Sequence, residues 1–266
     1  EVLKAIGYFE EALKIHREIG DRRGEGTALG NLGNAYRDLG EVQRAIGYYE
    51  QALAIDREIG DRRGEGADLT NLGVAYSDMG EVLKAIGYYE QQLTITREIG
   101  NRRGEGNALT NLGIAHANLG EVQKAIGYYE QALAIAREIG DRRGEGNVLT
   151  NLGVAYSDMG EVLKAIGYYE QQLTITREIG NRRGEGNALT NLGLAYSNLG
   201  EMQKAIGYYE EALKIDREIG DRQGEGNALT GLGNAYYSLG EVQKAIGYYE
   251  QALAIYREIG DRRGEG

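Results

Sequence analysis

The run Leu109-Thr110-Asn111-Leu112-Gly113 returns every 40 residues, with small variations, from one end of the chain to the other, and Ala125-Ile126-Gly127-Tyr128-Tyr129 returns with it. A strict period of this length marks a repeat array, in which each unit buries its apolar face on its neighbours. One continuous solenoid over residues 1–266 is therefore expected, rather than the one or two globular domains that length alone suggests. Both ends cut across units: the chain begins in the second half of one, at Glu1-Val2-Leu3, and closes on the opening of another, at Asp261. No polar capping repeat is visible, so the sequence reads as the interior of a longer protein.

Each unit divides into two helical patterns. Arg62 to Met79 reads as helix A and Glu81 to Ile99 as helix B, which gives seven B helices and six complete A helices along the chain. Asp61, with its counterparts Asp21, Asn101, Asp141, Asn181, Asp221 and Asp261, supplies the short side-chain oxygen that an N-cap needs. Gly80 and Gly100 fall where a helix ending in the left-handed conformation favours a residue without a Cβ. Glu81 sets a negative charge at the positive end of the helix B dipole. A rotation of about 100° per residue places Leu29, Leu32, Gly33 and Tyr36 on one side of helix A. On helix B it gives two adjacent stripes, Val42, Ala45, Ile46, Tyr49 and Leu53 beside Tyr48, Ala52, Ile55 and Ile59, so that helix is expected to pack on two sides. Gly33 and Ala45 leave room for the pair to approach closely. Gly47 in mid-helix, and Gly64 with Gly66 in the first turns of helix A, have no such explanation, and each costs about 1 kcal/mol relative to Ala.

Composition narrows the partner class. The chain carries 30 Lys and Arg against 41 Asp and Glu, a formal charge of -11. A nucleic-acid surface would normally show a net basic stripe, and an anionic membrane is disfavoured as well, so neither is expected as a partner. There is no apolar run of 18 residues, signal peptide or lipidation motif, and the expected location is cytoplasmic. With no Cys, disulfides and thiolate metal sites are ruled out. The 42 Gly are periodic, hence architectural rather than low-complexity.

Leu109, Leu112-Gly113, Ala125, Tyr129 and Ala132 together resemble the tetratricopeptide repeat. At the position where that family carries Tyr, this unit has His116, while the others have Tyr36, Tyr76, Tyr156, Tyr196 and Tyr236. The 40-residue unit, with an Arg-Glu-Ile-Gly-Asp-Arg-Arg link, is similar to the longer-repeat branch found in kinesin light chains, Partner-of-Inscuteable scaffolds and bacterial multidomain proteins. The resemblance implies an all-α fold, a right-handed α-α superhelix of antiparallel helix pairs. Gln92 and Gln172 depart from the pattern at a small-Ala position, where looser packing is expected. Residues 69–113 recur unchanged at 149–193, as after a recent duplication of a two-unit block.

The face of helix A opposite its core face carries the positions of Thr27, Asn31, Asn34 and Asp38. Across units, one row contains Asn71, Asn111, Asn151 and Asn191. A second contains Asn107, Asn147 and Asn187. A third is apolar in its middle, with Ile114, Val154 and Leu194. Asn offers an acceptor and two donors, so such ladders can clamp the backbone of an extended peptide, while the apolar row supplies pockets. The family resemblance implies that this face lines the inner groove on which such arrays hold peptides. The competing reading makes the Asn residues cross-links between neighbouring A helices. The Arg62-Arg63 pair, which recurs in the other units except where Gln223 interrupts it, is read as neutralised by Glu58 and Glu65 or their counterparts rather than as a basic rim for a ligand.

Nothing in the sequence asks for catalysis, a cofactor or a metal. His16 and His116 have no ligand partner at helical spacing. The carboxylates recur identically in every unit, as solvated helix faces do, and Ser77, Ser157, Ser197 and Ser238 have no nearby base. The glycine-rich Gly24-Glu25-Gly26 lacks the strand and Lys of a phosphate loop. The function expected is a non-catalytic scaffold that binds a protein or peptide ligand. Two alternatives stand beside it: the regulatory or sensor arm of a larger enzyme such as a CHAT-type protease or a signalling ATPase, and a structural spacer that self-associates end to end through uncapped faces.

Overall fold

A computed structural model describes residues 1–261 and 264, and among these the secondary structure is helical throughout. The chain divides into two compact units. The first, residues 1–139, holds α1 (Val2–Ile19), α2 (Arg22–Asp38), α3 (Val42–Ile59), α4 (Arg62–Asp78), α5 (Val82–Glu98), α6 (Arg102–Asn118) and α7 (Val122–Glu138). The second, from residue 140, holds α8 (Arg142–Asp158), α9 (Val162–Glu178), α10 (Arg182–Asn198), α11 (Met202–Ile219), α12 (Arg222–Ser238) and α13 (Val242–Ile259). Even-numbered helices are the expected A helices and odd-numbered ones the B helices. Each A helix packs on the B helix that follows it, and within each unit the B helix packs on the next A helix as well. The fold class is thus all-α, an array of stacked helix pairs.

The caps explain where the A helices begin. Asp61 accepts a hydrogen bond from the Gly64 backbone N–H at 3.0 Å, and Asp21, Asn101, Asp141, Asn181 and Asp221 do the same three residues ahead. This satisfies one of the donors that every helix start leaves open. The space beside Gly64 is already taken by Asp56, so a Cβ there would collide, and this answers the question its glycine raised. Each A helix ends at a residue such as Met79, followed by Gly80 at φ +76°, a conformation that costs a residue with a Cβ.

The helix pair closes through glycine. A Cβ at Gly73 would lie on the ring of Tyr89, and Gly33, Gly113, Gly153 and Gly193 stand in the same relation to Tyr49, Tyr129, Tyr169 and Tyr209. Beside this seat, the second aromatic of helix B stacks on the aromatic of helix A. Tyr36 and Tyr48 lie 5.3 Å apart with nearly parallel rings. His116 takes the same place against Tyr128 at 5.3 Å, with its Nδ1 2.6 Å from Glu121. The histidine is therefore an aromatic substitute inside the stack.

Most of the expected core is buried, with Val42 and Tyr48 half-buried and Ile59 exposed. Leu29, Leu32, Tyr36, Ala45, Ile46, Tyr49, Ala52, Leu53 and Ile55 are all inside, whereas Ile59 is exposed because it lies in the last turn of α3, next to the turn glycine. Gln92 and Gln172 are as buried as the alanines they replace, so packing there is not loosened, but each leaves its Oε1 without a donor. Nothing lies within 4 Å of a Cβ built at Gly47, Gly87 or Gly127, and the structure gives no reason for glycine at these places.

Ion pairs tie one repeat to the next. Arg57, near the end of α3, and Arg62, at the start of α4, both hold the buried carboxylate of Glu65, and Arg62 also reaches Glu98 on α5. Arg22 bridges Glu25 and Glu58 in the same way. The Arg17 hydrogen bond, with Arg22 beside it, holds the Glu25 carboxyl below its ordinary range. Burying a carboxylate is tolerable only with such partners.

Two substitutions in α7 should move stability in opposite directions. Tyr129→Ala removes a 3 % exposed ring from its glycine seat and is expected to cost about 3–5 kcal/mol. Gly127→Ala fills open space and is expected to add about 1 kcal/mol through helix propensity. Denaturant midpoints followed by circular dichroism check both. A destabilised Gly127→Ala protein would mean that this glycine has a packing role the structure does not contain.

Candidate functional site

On each A helix the expected site residues share one face. Asn107, Asn111 and Ile114 lie on α6, Asn147, Asn151 and Val154 on α8, and Asn187, Asn191 and Leu194 on α10, while Asn71 stands alone on α4. Asn107, Asn147 and Asn187 are exposed, and Asn71, Asn111, Asn151 and Asn191 half-buried. Ile114, Val154 and Leu194 are exposed, with Leu194 the most open at 52 %. Among the described residues none of these seven Asn side chains makes a hydrogen bond within the protein. The cross-linking role that was the competing reading therefore has no hydrogen bond to rest on.

The structure gathers part of this set. A cleft of about 370 Å³ opens among α8, α9 and α10 in the second compact unit. Asn147 and Asn151 reach it from α8 and Asn187 from α10, whereas Asn191, Val154 and Leu194 lie outside its lining. Gln172 and Ile175 of α9 close it from below, and Arg142, Arg143, Asn181 and Arg183 stand around it. In a chain of net charge -11, no carboxylate lines this cleft. The hydroxyls of Thr150 and Thr176 are bonded back to the carbonyls of Gly146 and Leu173 at 3.0 Å, and Arg142 and Arg183 are held in ion pairs, so the amides of Asn147, Asn151 and Asn187 and the guanidinium of Arg143 are its open hydrogen-bonding groups.

Three Asn at equivalent positions of other A helices, Asn34, Asn227 and Asn234, do something else. Asn34 accepts a hydrogen bond from the Tyr49 hydroxyl at 2.8 Å, and Asn234 from Tyr249 at 2.8 Å. Asn227 accepts one from Tyr256 at 3.1 Å. In each of these three the Oδ1 is taken by a tyrosine hydroxyl of a B helix.

The arginine pair also splits by position. The first of each pair is neutralised, as expected, although its second partner lies on the following B helix. The second meets the cap of the next repeat instead: Arg23 pairs with Asp61 at 2.7 Å and Arg183 with Asp221 at 2.6 Å. Arg63 and Arg143 face Asn caps and, among the described residues, form no ion pair, which corrects the expectation that all of these arginines are neutralised.

Sequence reasoning missed the carboxylate pair between α3 and α4, the buried Asp68 and the half-buried Asp56. Asp68 is 6 % exposed where other repeats carry Ala28, Ala108, Ala188 or Ala228. Its burial, with the charge of Asp56 nearby, pushes its pKa up to about 8. Asp56 is itself raised, first by burial and then by the nearby charge of Asp61. The signal was present as a charge at a core-facing position of helix A. Because Asp68 binds its proton more tightly when folded, its contribution is full below about pH 4 and is lost as the pH rises toward 8. Asp68→Ala should therefore stabilise the protein more at pH 8 than at pH 4, with a difference growing by up to about 1.4 kcal/mol per pH unit between them. Denaturant titrations at the two pH values measure it. An equal effect at both would mean that Asp68 is ionised throughout.

Among the described residues no group of three or more His, Cys, Asp or Glu is placed to hold a metal ion. None of the helices is long and apolar enough to cross a membrane.

The family model of the tetratricopeptide repeat matches residues 1–58, 67–138, 144–218 and 184–258. No curated protein matches. Several solved structures share the fold. A signal transduction ATPase with numerous domains, a protein with a tetratricopeptide repeat sensor from Pyrococcus horikoshii, aligns over 95% of this chain and 40% of its own at 22% identity, with a TM-score of 0.80. A Rap protein complexed with Competence and Sporulation Factor aligns over 98% of this chain and 71% of its own, at 17% identity and a TM-score of 0.68. The nearly identical repeats of a putative kinesin light chain from Podosopora anserina align over 74% of this chain and 96% of theirs, at 22% identity and a TM-score of 0.61.

Proposed function

The chain belongs to the tetratricopeptide repeat family, and from that premise we propose that it is a non-catalytic scaffold which holds an extended segment of a partner protein on the exposed face of its A helices. The observation that carries this reading is the cleft among α8, α9 and α10, where Asn147, Asn151 and Asn187 present amides that no group among the described residues uses. Each amide can accept from a peptide N–H and donate to a peptide C=O, so the set suits main chain of any sequence. Val154 and Leu194, exposed farther along the same helix faces, offer apolar contact to side chains of the ligand. Asn71, Asn107, Asn111 and Ile114 give the first compact unit an equivalent surface. The similar Rap protein, solved with a bound factor, supports a protein or peptide as the kind of ligand.

A second reading is the sensor arm of a larger signalling ATPase. It is favoured by the Pyrococcus horikoshii protein, of which this chain spans 40%. In that case the same face would receive the signal, so the two readings differ in what flanks the array and not in how it binds.

A peptide-display library selected on the chain, followed by titration calorimetry of the recovered peptides, tests the proposal. Asn147→Ala, Asn151→Ala and Asn187→Ala combined should weaken binding about ten-fold or more, since each removes a hydrogen bond worth roughly 0.5–1.5 kcal/mol. Helicity and denaturant midpoint should hardly change, because these side chains make no bond that folding needs. Failure to recover any peptide, or unchanged affinity in the variant, would remove the cleft as the binding site.

A further inference from the structure

The caps of the A helices do two jobs that the sequence makes separable. Every cap oxygen accepts from the backbone three residues ahead, and for that purpose Asp and Asn are equivalent: Asp61 bonds Gly64 at 3.0 Å and Asn101 bonds Gly104 at 3.0 Å. Only Asp has a second, charged oxygen to spare. At Asp61 and Asp221 that oxygen takes the guanidinium of Arg23 and Arg183, and at Asp261 it accepts from Gln223 at 3.1 Å. At Asn101 and Asn181 the charged oxygen is missing, and the arginines one repeat earlier, Arg63 and Arg143, have no ion-pair partner among the described residues.

The cleft in front of Arg143 shows what this charge faces. Arg142 is occupied by Glu145 and Glu178, and Arg183 by Asp221, so Arg143 alone of its three arginines is uncommitted. Its floor contains Gln172, only 4 % exposed, with an Oε1 that has no donor. A single positive charge on a planar fork suits a carboxylate carried on a peptide, one negative charge with two oxygens in a plane, while the Gln172 Oε1 beside it suits a main-chain N–H of the same peptide. The same departures occur together in the first compact unit, where Arg63, Gln92 and Asn101 repeat the combination and Gln92 Oε1 is again without a donor.

We propose that Asn101 and Asn181 determine specificity: by capping a helix without charge they leave Arg63 and Arg143 to read Asp or Glu side chains of the bound peptide. The proposal rests on the peptide-binding reading above and adds the chemistry of the ligand. Neither Asn need touch the ligand; each acts by what it fails to neutralise. The repeats capped by Asp61 and Asp221 silence the preceding arginine and contribute no such contact.

The test uses the whole chain and three fluorescein-labelled synthetic dodecapeptides, in which Ser alternates with Glu, with Gln or with phosphoserine, read by anisotropy at low salt. The unaltered chain should bind the Glu peptide about ten-fold more tightly than the Gln peptide. Asn101→Asp with Asn181→Asp should bring the Glu peptide down to the Gln level and leave the Gln peptide unchanged, with thermal melting confirming that the caps still work. Asp221→Asn, which frees Arg183, should tighten binding of the Glu peptide, and this gain cannot come from misfolding. If Glu and Gln peptides bind equally well, the charge-reading role is overturned while the peptide-binding reading survives. If neither binds, both fall. If the phosphoserine peptide binds most tightly and depends on the same residues, the carboxylate assignment is wrong.

Discussion

The array depends on how closely two helices can approach. Each A helix offers a glycine, and the tyrosine of the following B helix lies where a Cβ would have been. With any larger residue at Gly73 the Tyr89 ring would have to leave its seat, and the aromatic stack beside it, Tyr76 on Tyr88, would lose its spacing. The buried Leu69 and Leu72 and the clamped Glu65 lie along the same helix and assume the same separation. One missing methyl group thus sets the distance at which the rest of the interface is built.

Much of this was legible because it repeats. The period gave the helix pairs, the short polar residue before each Arg gave the caps, and the rotation of 100° per residue gave nearly all of the core. What could not be read was the partner of each charge. Arg62 and Arg63 are neighbours in sequence and look alike, yet α4 points one at Glu65 and Glu98 and leaves the other facing an Asn cap. Ion pairs of that kind join residues about a repeat apart, and only the packing of one helix on the next fixes them. Asp68 was overlooked for a related reason: a single carboxylate at a core position looks like noise in a repeat until Asp56 is seen opposite it.

The candidate site illustrates the same division. The amide ladder on the A helices could be drawn from spacing, but spacing could not say which amides were already in use. Asn34 and Asn234 hold tyrosine hydroxyls, whereas Asn147, Asn151 and Asn187 hold nothing and surround a cleft. Gln172 entered as a departure from a small-residue pattern and became part of the cleft wall. In a repeat protein, departures from the consensus are where function can be written, because the consensus itself is consumed by stacking.

The duplicated block has a consequence for how such a chain can change. Residues 69–113 and 149–193 are identical, and so are the helix junctions they encode. Recombination between the two copies would delete or add a whole two-repeat block and create no junction absent from the present chain. Every glycine would still find its tyrosine and every cap its helix. Length in this protein is therefore a quantity that evolution can adjust in steps without redesigning a surface, and each step would carry its own unneutralised arginine with it.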